Sequence, residues 1–167
     1  SQISYPVVQG ADNDLYLHKT FSANENTLGA IFVDAAASSD FTDKNTIIYG
    51  HRMKDGSMFR KLEEYKDEDF WKENPYFYIY TPDGREITYK IYSVGQVLDT
   101  SDTYLTSFAS DEEYQTFRDM TMKEADYDTG VKVTTDDTVV TLSTCTAASD
   151  EHRFVVRGVK EKEVELQ

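Results

Sequence analysis

Three segments rich in Val, Ile and Thr constrain the fold of this chain more than any other feature. Residue types of this kind favour β-strands. The segments are 45–51, which ends in His51, 139–145, which ends in Cys145, and 153–159, which begins with Arg153. They predict three strands, two of them neighbours, whose ends supply an imidazole, a thiol and a guanidinium. A nucleophile, a proton carrier and an anion stabiliser are the groups that cysteine-based acyl transfer requires.

Each of these three residues also has a simpler interpretation. A lone cysteine is more often a small buried hydrophobe than a nucleophile. His51 could cap a strand, and Arg153 could be a solvated charge beside one. Their joint occurrence at strand ends favours a catalytic role for all three residues. Cys145 is the only cysteine, so an internal disulfide is excluded.

Composition indicates one compact, mainly β domain spanning 1–167. The chain has 167 residues, of which 39% are hydrophobic, and this is enough to bury a sizeable core. Its formal net charge of −14 argues against a nucleic-acid partner, because a phosphate backbone selects basic surfaces. No stretch approaches the roughly 20 apolar residues of a membrane span.

Local patterns add a hairpin and two helices to these strands. Strong turn residues at 81–85 separate two alternating aromatic segments, 76–80 and 86–92, and predict a β-hairpin with ordinary aromatic packing. Ser110 and Glu113 form a capping box that begins an amphipathic helix over about 110–124. Segment 29–34 predicts a further strand. Helical spacing of Met58, Leu62 and Tyr65 predicts a short helix after His51. These patterns together favour a β-barrel with inserted helices.

In this order, the motifs resemble those of a class B sortase. Thr141-Leu142-Ser143-Thr144-Cys145 fits the family's Thr-Leu-x-Thr-Cys signature, Tyr49-Gly50-His51 fits its histidine strand end, and Arg153 begins the last long strand. The resemblance extends from Tyr5 to about Val159 and includes the helix at 110–124, which distinguishes class B from other sortases.

The resemblance implies an eight-stranded sortase β-barrel that needs no metal or organic cofactor. It also implies an enzyme held at the outer face of a Gram-positive cell membrane by an N-terminal segment that is not in this chain. Such an enzyme cleaves the C-terminal sorting signal of a secreted protein after threonine, commonly in an Asn-Pro-x-Thr context. The threonine carbonyl is then transferred to a cell-wall peptidoglycan amino group.

Residue roles follow from the same resemblance. Cys145 is the expected nucleophile, His51 the proton carrier and Arg153 the oxyanion stabiliser. His152 is a rival to His51, but it should face away from the site if Arg153 faces it, because neighbouring strand residues alternate. The positions that match the family's peptide groove are Asn13, Leu17, Thr100, Tyr104 and Leu105. Ser143 should also reach the groove, because it lies two residues before Cys145 and therefore on the same strand face. Leu17 and Leu105 could instead be ordinary core residues.

Three other functions remain open at this point. A sortase of the same architecture could polymerise pilins by using a lysine amine as acceptor, a cysteine protease would resolve the acyl-enzyme with water, and a catalytically silent module would only bind. The segment after the nucleophile departs from the class B pattern, because Thr146-Ala147-Ala148 stands where acidic residues are common. Asp150 and Glu151 follow in the same loop, and the sequence does not establish a carboxylate partner for His51.

Overall fold

The computed structural model describes residues 6–13, 31–51, 59–145 and 151–166, and of His51 and Cys145 the backbone only. Its strands are β1 Val7–Gln9, β2 Ile31–Val33, β3 Asn45–His51, β4 Tyr76–Tyr80, β5 Arg85–Leu98, β6 Val139–Cys145 and β7 His152–Glu165. Its helices are α1 Glu68–Glu73, α2 Asp111–Lys123 and two 3-10 helices, Phe59–Lys66 and Asp102–Tyr104. The fold is mainly β with inserted helices, as predicted. The described part of the chain forms seven strands, whereas the resemblance implies eight.

All seven strands belong to one mixed sheet in the order β1-β2-β3-β6-β7-β5-β4. β3 and β6 are parallel neighbours, and β6 pairs antiparallel with β7. The longest ladder joins β5 and β7 antiparallel, from Arg85 opposite Glu165 to Leu98 opposite His152. The three segments that predicted strands are therefore adjacent at the centre of the sheet.

Hydrophobic residues cover both faces of the sheet. One core cluster lies beneath the 3-10 helix Phe59–Lys66 and includes Ile48, Phe59 and Val156. The second lies beneath α2 and includes Tyr114 and Val139. Alternation along the central strands sends successive side chains to opposite clusters, so these strands are apolar on both faces.

The predicted hairpin is present as β4 and β5. Its turn is closed by the amide of Gly84, which donates to the carbonyl of Thr81, and by the amide of Thr81, which donates to the carbonyl of Arg85. Gly84 has φ +85°, a conformation that glycine adopts at no steric cost. The Pro-Asp-Gly turn in the sequence therefore sets the register of this hairpin.

The predicted helix at about 110–124 is α2, Asp111–Lys123. The Ser110 hydroxyl caps it by accepting from the Glu113 amide at 3.2 Å. The Glu113 carboxylate accepts in return from the amide of Ala109 at 2.8 Å, one residue earlier than in an ideal capping box. Tyr114 and Phe117 are buried against the sheet. The apolar side of α2 therefore packs against the sheet, as expected for an amphipathic helix.

Other elements differ from the sequence predictions. The short helix after His51 is a 3-10 helix with Leu62 buried, and Met58 lies outside the described residues. The helix α1 and the continuations of β5 to Leu98 and β7 to Glu165 were not predicted. Within the described residues no helix is long and apolar enough to cross a membrane.

Candidate active site

The ends of β3 and β6 meet in register. The parallel ladder runs from Asn45 opposite Val139 to His51 opposite Cys145, with no irregularity between them. Register partners in neighbouring strands lie about 4.8 Å apart in the hydrogen-bonding direction. The backbone therefore brings the predicted nucleophile and the predicted proton carrier to one edge of the sheet.

Arg153, the second residue of β7, lies at the same edge of the sheet. The antiparallel ladder of β6 and β7 reaches Ser143 opposite Val155, and Arg153 stands two residues before Val155, on the same face. Its side chain is 17% exposed, with one Nη 3.9 Å from a carboxylate oxygen of Asp99. The other Nη donates to the carbonyl of His152 at 3.0 Å. The guanidinium is therefore held close to its own strand.

Asp99 is fixed in turn by the segment that precedes β7. Its amide donates to the carbonyl of Glu151 at 2.8 Å, and this bond continues the β5–β7 ladder by one step. The Asp99 carboxylate thus lies beside Arg153 because the two strands pair to their ends. The sequence offered no signal for this contact, which depends on the register of residues more than 50 positions apart.

His152 and Arg153 lie on opposite faces of β7, as alternation predicts. His152 is exposed and pairs with Leu98, which is also exposed, whereas Arg153 pairs with the buried Val97. His152 is therefore on the face away from Ser143. Of the two histidines in the described part of the chain, His51 is therefore the one that pairs with Cys145.

Two of the predicted groove residues are in direct contact. The hydroxyls of Tyr104 and Ser143 are 2.7 Å apart, and the Tyr104 ring stacks on Tyr49 with 6.2 Å between centroids. Tyr49 also packs against Phe32, and its hydroxyl lies 3.3 Å from an Asp34 carboxylate oxygen. An aromatic surface with hydroxyl groups therefore adjoins the edge where β3 and β6 end.

The remaining predicted groove residues are more dispersed. Leu105 is 46% exposed and is therefore not an ordinary core residue. Thr100 and Asn13 are exposed, and the Asn13 side-chain oxygen accepts from the amide of Ala35 at 2.7 Å. Leu17 lies outside the described residues, as do Thr146 and Asp150.

Sequence reasoning missed a group of buried polar residues beneath the 3-10 helix Asp102–Tyr104, which we name the polar cluster: Asn45, Ser93, Thr103, Thr141 and Arg157. Thr141, Arg157 and Ser93 are register partners across β6, β7 and β5. Arg157, a charged residue inside the otherwise apolar segment 154–159, is the one feature of the sequence that could have indicated this cluster. Burial lowers the pKa of Arg157, although a guanidinium remains charged at neutral pH.

The described part of the chain has no cluster of three or more His, Cys, Asp or Glu side chains that could hold a metal ion. The site instead combines the ends of three strands with an aromatic surface.

Comparison with known proteins identifies the family. Residues 1–161 match the family model described as the sortase domain. Sortase B of Listeria monocytogenes is 37% identical over 162 residues, which cover 95% of this chain and 65% of that protein. This chain belongs to the class B sortases. Sortase B of Staphylococcus aureus is 33% identical over 152 residues, which cover 90% of the chain and 62% of that protein.

The fold of this sortase agrees with the same assignment. The solved structure of a Staphylococcus aureus sortase B–substrate complex superposes with a TM-score of 0.89 at 32% identity, covering 95% of this chain and 74% of that one. The sortase chain described here spans less than two thirds of the length of either curated relative.

Proposed function

We propose that this chain is the catalytic domain of a cysteine transpeptidase that cleaves a C-terminal sorting signal after threonine and transfers the threonine carbonyl to an amine. The proposal rests above all on the register of β3 and β6, which pairs His51 with Cys145 at the edge of the sheet where Arg153 is the second residue of β7. The sortase family match supports it.

The first step requires an activated thiol. At an ordinary cysteine pKa of about 8.5, only a minority of thiol is ionised at neutral pH. We propose that His51 accepts the thiol proton and holds Cys145 as the thiolate of an ion pair. The thiolate then attacks the carbonyl carbon of threonine, and the electron pair of the C=O bond moves to oxygen.

Arg153 would stabilise the negative charge on that oxygen. Its guanidinium stays charged at any relevant pH and donates hydrogen bonds in a planar fork. A contact with Asp99 and a bond to its own strand restrict the side chain, which favours orientation before substrate arrives. When the intermediate collapses, the C–N bond breaks, His51 protonates the departing amine, and a thioester remains on Cys145.

The second step transfers the acyl group. An incoming amine attacks the thioester carbon while His51 removes its proton, and the thiolate of Cys145 leaves. We propose a peptidoglycan amino group of the cell wall as this acceptor. Such an acceptor requires the domain to act at the outer face of the membrane, where we expect a preceding segment to anchor it.

The peptide substrate would lie on the aromatic surface beside the strand ends. The contact between Tyr104 and Ser143 and the exposure of Leu105 support a groove there. One structurally similar sortase B was solved as a substrate complex, which supports a peptide ligand. We propose that Asn13, Leu17 and Thr100 complete this groove.

A ligation assay tests the function. The chain is mixed with a peptide that carries an Asn-Pro-x-Thr signal and with a small amine, and the products are separated by chromatography. We expect ligated peptide from the wild type and none from Cys145→Ala or His51→Ala. Arg153→Lys should lose a factor of about 100 to 1000 in rate, the typical cost of one oxyanion donor.

His152→Ala is the matched control, because it removes a neighbouring histidine on the opposite face of β7 and leaves the His152 carbonyl that Arg153 uses. It should retain most activity. Turnover by Cys145→Ala or His51→Ala would contradict the assigned roles. Hydrolysis without ligation would indicate a protease, and a lysine peptide that outcompetes wall amines would indicate pilin polymerisation.

A further inference from the structure

Arg157 is the largest fully buried side chain among the described residues, and it contacts three separate elements. One Nη donates to the Ser93 hydroxyl on β5 at 2.8 Å. The other donates to the Thr103 hydroxyl at 2.7 Å and lies 3.6 Å from a carboxylate oxygen of Glu124, which follows α2. The guanidinium therefore connects the sheet to the 3-10 helix Asp102–Tyr104 and to the end of α2.

A buried guanidinium of this kind is a costly way to stabilise a core. Its Nε has no hydrogen-bond partner among the described residues, and its carboxylate partner Glu124 is 40% exposed. Replacing a buried charge and its partners by apolar residues is often neutral or stabilising, so stability alone is a poor explanation for Arg157. The guanidinium can instead hold its hydrogen-bond partners in fixed positions, because it donates only along fixed axes.

The partners that Arg157 holds adjoin the proposed peptide groove. Thr103, which accepts from Arg157, immediately precedes Tyr104, whose hydroxyl contacts Ser143. The Asn45 side chain donates to the carbonyls of Thr103 and Leu105 at 3.1 and 2.7 Å. Arg157 thus holds the side chain of Thr103, and Asn45 holds the backbone carbonyls of Thr103 and Leu105.

We propose that Arg157 is a positioning residue which, through the Thr103 hydroxyl, fixes the segment Ser101–Leu105 and so holds Tyr104 and Leu105 in place for the sorting peptide. The effect of this positioning on the binding of a sorting peptide rests on the proposed function. The anchoring of the segment does not, and it is measurable without any substrate.

Thr103→Val tests the anchoring, since valine keeps the shape of threonine and removes the hydroxyl that accepts from Arg157. Hydrogen exchange is followed at the amides of Tyr104 and Leu105, which donate to Ser101 and Asp102 within the segment. A hydrogen bond to a charged group opposes local opening, so we expect about 10- to 100-fold faster exchange at both amides. Thr103→Ser restores the hydroxyl and should restore the protection.

Thr88→Val is the matched control. Thr88 is also buried, in β5, but its hydroxyl has no hydrogen-bond partner in the described part of the chain. This variant should leave exchange at Tyr104 and Leu105 unchanged. If Thr103→Val does not fold, Thr103→Ala removes the same hydroxyl in a smaller side chain and takes its place.

Steady-state ligation then separates positioning from general destabilisation. Thr103→Val should raise KM for the sorting peptide about tenfold with a smaller change in kcat, and Thr103→Ser should return KM to near the wild-type value. Unchanged exchange in Thr103→Val, or a failure of Thr103→Ser to restore it, would overturn the proposal. Restored exchange without restored KM would also overturn it. If the wild type ligates no peptide, the proposed function fails, while the exchange data still decide the anchoring.

Discussion

Substituting Gly50 by alanine should crowd the core directly beside His51. Gly50 has no positive φ, unlike Gly84 and Gly130, so backbone conformation does not require a glycine there. Space does. A Cβ on Gly50 would lie 2.7 and 2.8 Å from two ring atoms of Phe59 and 3.1 Å from a side-chain carbon of Ile31. Contacts this short force a neighbouring group to move.

The size of the effect follows from how firmly Phe59 is held. Phe59 is 3% exposed and belongs to the core cluster that includes Ile31 and Ile48, so its ring cannot move into solvent. Overpacking a close-packed core costs about 1–3 kcal/mol. For a chain of this length, each kcal/mol lowers Tm by about 2–4 °C, which gives a decrease of about 2–12 °C for Gly50→Ala.

Urea unfolding of a double-mutant cycle tests this reasoning. Phe59→Leu removes the ring that the new Cβ would meet, so Gly50→Ala should be less costly in that background, with a coupling energy of about 0.5–3 kcal/mol. Gly130→Ala is the control, since a Cβ there meets no described atom within 4 Å and its cost should not depend on Phe59. A neutral Gly50→Ala, or a cycle in which the two changes simply add, would refute the steric argument.

Two further predictions concern hydroxyl groups. Tyr104→Phe and Ser143→Ala should each lower the free energy of unfolding, and a double-mutant cycle should give a coupling of about 0.5–1.5 kcal/mol for their 2.7 Å contact; zero coupling would contradict the contact. Burial, with a smaller effect of Glu64, raises the pKa of Tyr65 from 10.0 to about 12, so its stabilising contribution is complete below pH 10 and is lost as the pH rises through about 12. Between these values Tyr65→Phe should lose less stability than the wild type in chemical unfolding; parallel curves for the two proteins would contradict this assignment.

The strands that carry the site could be predicted because they depend on local composition. Segments 45–51 and 139–145 are rich in β-branched residues, and the structure reproduces both sets of bounds. β7 was predicted only to Val159, because the residues that follow are mostly Lys and Glu. The continuation is stabilised across strands, where Glu163 accepts from Arg85 at 2.6 Å. Such cross-strand pairs cannot be predicted from the local sequence of either strand.

The missed parts of the site depend on contacts between distant segments. Thr103 and Arg157 are 54 residues apart, and they meet because the 3-10 helix Asp102–Tyr104 packs where Arg157 lies opposite Ser93. The helix α1 has only six residues, too few to show an amphipathic period. The family motifs identified the positions of the proposed catalytic residues, whereas the residues that orient them required the sheet order.

The most direct test of the proposed chemistry is intact-protein mass spectrometry of the chain incubated with a panel of Pro-x-Thr sorting peptides. We expect an adduct whose mass equals the peptide fragment ending in threonine, located on Cys145 and absent from Cys145→Ala. An added amine should remove it and yield ligated peptide. An adduct on another residue, or no adduct on Cys145 with any peptide of the panel, would contradict a thioacyl mechanism at this site.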